Sequence, residues 1–209
     1  MLTPSPPAAE TPPLSAREIE LVRGTYRVMA AAGSQQLSLR QVGKELHVSA
    51  ALFMYHFKTK DNLLLTTMRW VVLEIVERIR TRLADVDDPE EALSALLDVL
   101  FADPEANRDF YLVYLDLVQY SVRHPDFGGL AEMLWKYVNG SYAVVIQHGV
   151  ATGAFAVDDI ELAARQARAV VEGGLVQWLQ DREWRTAHRR VRDECHHAVL
   201  TLLKHPQAA

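Results

Sequence analysis

The sequence predicts an all-α protein, and three observations carry that prediction. Apolar residues recur at three- and four-residue spacing along most of the chain, and no alternating strand pattern interrupts them. Residues that start helices stand just ahead of these stretches: Ser15, Ser38, Ser49, Thr59, Asp88, Asp103 and Asp158. At 209 residues, about half of them apolar, the chain is long enough to bury a sizeable core. The spacing predicts about nine helices.

Taken in order, residues 1–14 read as a disordered arm. Five of the nine prolines fall within the first thirteen positions, among Ala, Ser and Thr, a composition with little to bury. Ser15 with Glu18 then forms a capping box, stapled by Leu14 and Ile19, and Ile19, Val22, Tyr26, Met29 and Ala30 keep helical spacing as far as Gly33. The device recurs at Ser38 with Gln41, stapled by Leu37 and Val42, and opens a short helix through Leu46. Ser49 caps a third helix reaching about Tyr55, and Thr59 a fourth from Lys60 to about Leu83. Asp88-Pro89 and Asp103-Pro104 each place a cap before a proline at the first helical position. They open helices near 89–102 and 104–124, the second ended by Pro125. A further helix lies within 127–152. Asp158 with Glu161, stapled by Val157 and Leu162, opens one to about Asp181, and a last helix occupies roughly 184–204. Gly173-Gly174 inside a predicted helix costs about 1 kcal/mol per glycine against Ala, so close packing or a kink has to compensate.

The net charge of −5 is unevenly spread. Between Ser15 and Asn62 seven basic residues (Arg17, Arg23, Arg27, Arg40, Lys44, Lys58, Lys60) outnumber four acids (Glu18, Glu20, Glu45, Asp61). A basic head on an acidic body points to an anionic partner for the head alone. No apolar run approaches the 18 or so residues of a membrane span, and the first residues lack the regions of a secretory signal. With Cys195 as the single cysteine, no intrachain disulfide forms, and a reducing cytoplasm is the expected location. The histidines are scattered, and adjacent His196 and His197 point about 100° apart on a helix, so neither a metal site nor a cofactor is expected.

Residues 38–55 provide what a helix-turn-helix needs: two short helices, a tight turn, and an outer face free to enter a major groove. Together with their flanks they resemble the DNA-binding domain of TetR-type (tetracycline-repressor family) transcriptional regulators. The resemblance covers about 15–64. It rests on Ala31-Ala32-Gly33 closing the first helix, Ser38-Leu39-Arg40-Gln41-Val42 opening the second and Val48-Ser49 opening the third. Its most specific part is His56-Phe57-Lys58-Thr59-Lys60-Asp61-Asn62-Leu63, very like the family's "HF-x-[ST]-K-[DE]-x-L".

The resemblance implies three segments: the arm at 1–14, a DNA-binding domain at 15–62, and an effector-binding and dimerisation domain at 63–209. It implies a DNA face made of Ser38, Arg40, Gln41, Ser49, Ala50, Ala51, Leu52, Met54, Tyr55, His56 and Lys60. For Gln41 the capping role weighs more than a base contact, and Phe53 and Phe57 belong to the core of the head. Three departures from the family pattern stand out. His47 occupies the turn position usually held by Gly, Ala51 replaces a second Gly, and Met54 stands where a phosphate-binding Tyr is common. Tyr55, rotated by about 100°, is the available phenol. Lys60 at a helix start suits a phosphate, Arg40 suits guanine, and Ala50, Ala51 and Leu52 suit thymine methyl groups. The arm carries no Lys or Arg, so it is a poor candidate for entering a groove.

In the body, aromatic residues have two readings, an ordinary core or an apolar pocket between bundle helices. The resemblance favours a small-molecule effector site drawn from Trp70, Phe101, Phe110, Tyr114, Leu117, Tyr120, Trp135, Tyr142 and Trp178. Asp116, Gln119 and Glu172 are either sparse polar ligands of such a site or surface residues. Two small and apolar series, Ala164, Ala167, Val171, Gly174 and Trp178, then Val191, Cys195, Ala198 and Leu202, serve a monomer core or a dimer face. The family reading makes residues about 158–204 the homodimer contact, which supplies two heads for a palindromic double-stranded operator. A repressor released by a small organic effector is therefore expected, with the long fourth helix as lever. A bundle enzyme or a protein-binding adaptor is the alternative. The enzyme is disfavoured because no nucleophile–base pair, phosphate-cradling glycine loop or carboxylate cluster stands out.

Overall fold

A computed structural model of the chain describes residues 13–33, 37–124, 127 and 129–204. The arm (apart from its last two positions), Pro125 and His205 lie outside the described residues. Those described form nine helices. They are α1 (Ala16–Ala32), α2 (Leu39–Glu45), α3 (Ala50–Phe57), α4 (Lys60–Leu83), α5 (Pro89–Leu100) and α6 (Pro104–Arg123). Then follow α7, a run of Leu130–Leu134, a π-helical Trp135–Asn139 and Gly140–Thr152, and finally α8 (Ile160–Leu179) and α9 (Trp184–Lys204).

Most of the helix starts stand where the capping chemistry puts them. Ser15 and Glu18 close a complete capping box, and Gly33 ends α1 at φ 80° with its N–H donating to the Met29 carbonyl. The side chains of Thr59, Asp88 and Asp103 accept the N–H groups of Asn62, Glu91 and Ala106 at 3.0, 2.8 and 2.7 Å. Two expectations need correction. Ser49 has the extended backbone of an N-cap, but its side chain makes no capping bond. The cap of α8 is Asp159, not Asp158: its carboxylate accepts the Leu162 N–H at 2.9 Å. Both aspartates precede the same apolar run, and one more residue of extended chain moves Val157 and Leu162 out of staple register. Leu162 is accordingly exposed.

The described residues fall into two compact units. One comprises the chain up to Leu73 with Asp109–Met133, the other Glu74–Arg108 with the residues from Leu134 on. The first is centred on fully buried Leu21, Val22, Met29, Val42, Phe53, Leu63 and Met68. Thr25 is equally buried and its hydroxyl donates to the Leu21 carbonyl at 2.8 Å, whereas the buried Thr67 hydroxyl has no partner among the described residues.

The second unit packs α5, α7, α8 and α9 around Leu96, Tyr142, Val145, Ala164, Ala167, Val171, Leu175 and Trp178. On α9 the inward stripe is Val191, Cys195, Val199 and Leu203. The expected Ala198 is exposed and Leu202 half-buried, because the stripe advances by four residues at each step after Val191. The paired glycines of α8 separate in role. A Cβ on Gly174 would stand 2.6 Å from Cys195 Sγ, so α8 and α9 approach too closely there for any side chain. Gly173 faces open space.

Candidate nucleic-acid interface

The turn between α2 and α3 is built from backbone bonds and two unusual residues. The Leu46 N–H donates to the Val42 carbonyl at 3.0 Å and the Val48 N–H to Gly43 at 2.8 Å. A Cβ on Gly43 would lie 2.5 Å from the Val48 oxygen, so the chain can fold back only over glycine. His47 takes φ 54°, in the left-handed region that its family position requires and that a non-glycine residue enters at about 1 kcal/mol or more.

Phe53 and Phe57, 1% and 2% exposed, anchor α3 to the core of its unit. That rotation turns Ala51, Met54 and Tyr55 outward, with Ala50 and Leu52 half-buried beside them. Tyr55 is 72% exposed and Met54 47%, which is unusual for such side chains and leaves an apolar surface facing solvent. Helix α3 ends at Lys58, a second non-glycine residue in the left-handed region (φ 66°), which no local signal in the sequence announces. Its ammonium donates to the Tyr55 carbonyl at 2.8 Å.

Around this face stand Ser38, Arg40, Gln41, Lys44 and Ser49, all exposed, and Lys60, half-buried in the first turn of α4. Ser38 Oγ accepts the Gln41 N–H at 3.1 Å. Among the described residues Arg27, Arg40, Lys44, Lys58 and Lys60 form no ion pair. His56 is set against α1, its Nδ1 3.4 Å from Glu18 Oε1. The Ser15 N–H and hydroxyl hold the Glu18 carboxyl below its usual range, and His56 adds a weaker pull in the same direction.

The residues expected to line an effector site are divided between the two units. Trp70, Phe110, Tyr114, Leu117 and Tyr120 belong to the first unit, and Phe101, Trp135, Tyr142 and Trp178 to the second. In the first, Phe110 and Tyr114 lie parallel with centroids 6.2 Å apart, and Tyr111 meets both edge-on. Tyr120 is committed elsewhere, donating its hydroxyl to Asp61 at 2.8 Å. In the second, Trp178 and Tyr142 are core residues, whereas Trp135 is 41% exposed under the Arg165 guanidinium. Burial, with Glu172 nearby, pushes the Tyr142 phenol far above its ordinary value. Glu172 itself pairs with Arg168 at 2.6 Å, and Arg168 also donates to Asn139 at 2.8 Å. The sequence offers no hint of the partly buried link to Asn139, since it depends on the π-helical stretch that carries that residue.

An exposed second helix, a tight turn closed over Gly43 with His47 in the left-handed region, and a ring of cations without ion pairs among the described residues define a protein of the helix-turn-helix class. Comparison with known proteins narrows it. Residues 21–67 match the family described as bacterial regulatory proteins, tetR family, and residues 89–204 match the BetI-type transcriptional repressor C-terminal domain. The second match alone spans more than half of the chain, which therefore belongs to the TetR family in its BetI-type branch. The HTH-type transcriptional regulator BetI of Stenotrophomonas maltophilia is 28% identical over 115 residues, covering 54% of this chain and 59% of that protein. The chain thus spans less than two thirds of that relative. The HTH-type transcriptional repressor KstR2 of Rhodococcus jostii is 26% identical over 168 residues, or 80% of this chain and 81% of its own. In fold, a putative transcriptional regulator from Saccharomonospora viridis, solved in complex with choline, matches with a TM-score of 0.77 at 22% identity, over 89% of this chain and 96% of that one. Among the described residues no helix is long and apolar enough to cross a membrane.

Proposed function

We propose that the chain is a DNA-binding transcriptional repressor, acting as a homodimer and released from its operator by a small organic effector. The observation that carries this reading is the head itself: an exposed apolar face on α3 bordered by Arg40, Lys44, Lys58 and Lys60, none of which forms an ion pair among the described residues. Cations not neutralised by a carboxylate among the described residues are available to phosphates, which supply affinity, while Ala51, Leu52 and Met54 meet base edges by apolar contact. Dimerisation through residues about 158–204 would join α8 and α9 to their copies. Exposed Leu162, the open flank of Gly173 and outward-facing Ala198 suit that contact.

The effector would act by population shift, binding best to a body conformation in which the two heads no longer match successive major grooves. An organic cation is the class favoured here. The Phe110, Tyr111 and Tyr114 cluster gathers aromatic rings, the residue type that holds quaternary ammonium groups, and choline, bound by the Saccharomonospora viridis protein, is the first compound to try.

Fluorescence anisotropy with a labelled random duplex tests the first part. Binding should weaken steeply with salt, log K falling linearly against log salt. A chain that ignores duplex DNA at low salt is not a regulator of this kind. Choline added to the complex with the DNA upstream of the chain's own gene tests the second. Release supports the cationic class, and retention at millimolar choline rejects it while leaving the DNA reading intact.

A further inference from the structure

Lys60 and Asp61 stand side by side at the start of α4 with opposite charges, and a residue of α6 engages both. Tyr120 Oη donates to Asp61 Oδ1 at 2.8 Å, and Lys60 Nζ lies over the Tyr120 ring, 5.9 Å from its centroid. The ring is itself held in place. His124 stacks on it with centroids 3.9 Å apart and planes 20° from parallel, and Phe127 meets it edge-on at 5.1 Å. His124 Nδ1 donates to the Tyr120 carbonyl at 2.9 Å, which fixes the imidazole against its own helix turn. All of these residues belong to one compact unit.

A carboxylate next to a phosphate-seeking lysine works against it in two ways. It neutralises the ammonium by pairing with it, and it repels an incoming phosphate at short range. Both effects depend on where the carboxylate points. A hydrogen bond from a neutral phenol to a carboxylate is a strong, directional tether. Burial and the bond to Asp61 raise the Tyr120 phenol above its ordinary value, so it stays a donor throughout the neutral range.

We propose that Tyr120 is a positioning residue of the DNA interface: it draws the Asp61 carboxylate onto α6, away from the phosphate path, and supports the Lys60 ammonium over its ring at the start of α4. The inference rests on the DNA-binding reading above and deepens it. It also gives Tyr120 a different task from lining an effector site.

The test uses the full-length chain, a random duplex and a salt titration, with thermal midpoints as folding controls. Tyr120→Phe keeps the ring and removes the tether. It should weaken binding about fivefold, the scale of one exposed charge contact, and flatten the salt slope as Asp61 swings toward Lys60. Asp61→Asn in the same background should restore wild-type affinity and slope, since the freed side chain no longer carries charge. Asp61→Asn alone should bind at least as tightly as wild type. Tyr120→Phe that binds like wild type, a loss that Asp61→Asn fails to rescue, or weaker binding by Asp61→Asn alone would each overturn the proposal. Wild-type protein that binds no DNA would instead bring down the reading on which it rests.

Discussion

The two units treat their cations differently. In the second, Arg80, Arg168, Arg185, Arg190, Arg192 and Lys204 are each paired with a carboxylate at 3.4 Å or less. In the head, Arg40, Lys44, Lys58 and Lys60 form no ion pair among the described residues. Lack of pairing alone is not a DNA signature, since Arg78, Arg82, Arg182 and Arg189 of the second unit also have no ion pair among the described residues. What distinguishes the head is the company its cations keep: α3 exposes Met54 and Tyr55 beside them, whereas α9 turns Val191, Cys195, Val199 and Leu203 inward. Stability and recognition thus draw on opposite arrangements of the same residue types. Helix α9 hides its apolar side, and carboxylates neutralise Arg190 and Arg192 on it. On the proposed DNA-binding reading, α3 instead leaves its apolar side chains and the neighbouring cations on offer.

That contrast breaks most visibly at Trp178. The indole is 1% exposed, donates to the Trp184 carbonyl, and meets the Trp184 and His188 rings at 5.7 and 5.0 Å. Trp178→Ala should cost about 3–5 kcal/mol and lower the thermal midpoint by about 10 °C. No DNA-face residue is touched, so the salt slope of DNA binding, measured well below the new midpoint, should stay the same. A thermal scan showing less than about 1 kcal/mol of loss would mean that the second unit is held together elsewhere.

Much of this division was legible in the sequence, because the signals are local. Ser15, Ser38, Thr59, Asp88 and Asp103 each announce a helix within four residues, and the left-handed turn at His47 follows from a position where glycine is usual. The misses are of two kinds. One is a choice between equivalent neighbours: Asp158 and Asp159 both suit a cap, and only the path of the loop before α8 decides for Asp159. The other is distance along the chain. Tyr120 and Asp61 are 59 residues apart, and Arg168 and Asn139 are 29 apart, with no periodicity linking either pair. Aromatic composition leaves core and pocket open, and the resemblance places Tyr120 and Trp135 with the other effector-site aromatics, although the first is tethered to Asp61 and the second faces solvent.

On the recognition side the sharpest single change is Arg40→Ala. Arg40 is exposed and unpaired, so its loss should leave the thermal midpoint within a degree or so of wild type. Binding to the true operator should nevertheless weaken by about 1–3 kcal/mol and lose preference at one position per half-site, the signature of a base contact. Equal weakening on operator and random duplex would move Arg40 to the phosphates and leave base reading to the apolar face of α3.

Arg190 gives the mirror image, with the smallest expected effect. It carries two ion pairs, to Glu194 at 2.8 Å and to Asp181 at 3.4 Å, and its side chain is 59% exposed. Counted by ion pairs, it looks more important than Arg40, which has none among the described residues. Solvent screening reverses that ranking: at such exposure each pair is opposed by hydration and by the entropy of holding two long side chains. Arg190→Gln should therefore change stability by no more than about 0.5 kcal/mol, and less at 0.5 M salt than at 0.05 M. DNA affinity at fixed salt should be unaffected, because Arg190 lies outside the unit that holds α2 and α3. A loss above about 1 kcal/mol would mean that the pairs of α9 act as a network rather than singly. Paired cations would then matter for stability as much as unpaired ones are argued to matter for recognition.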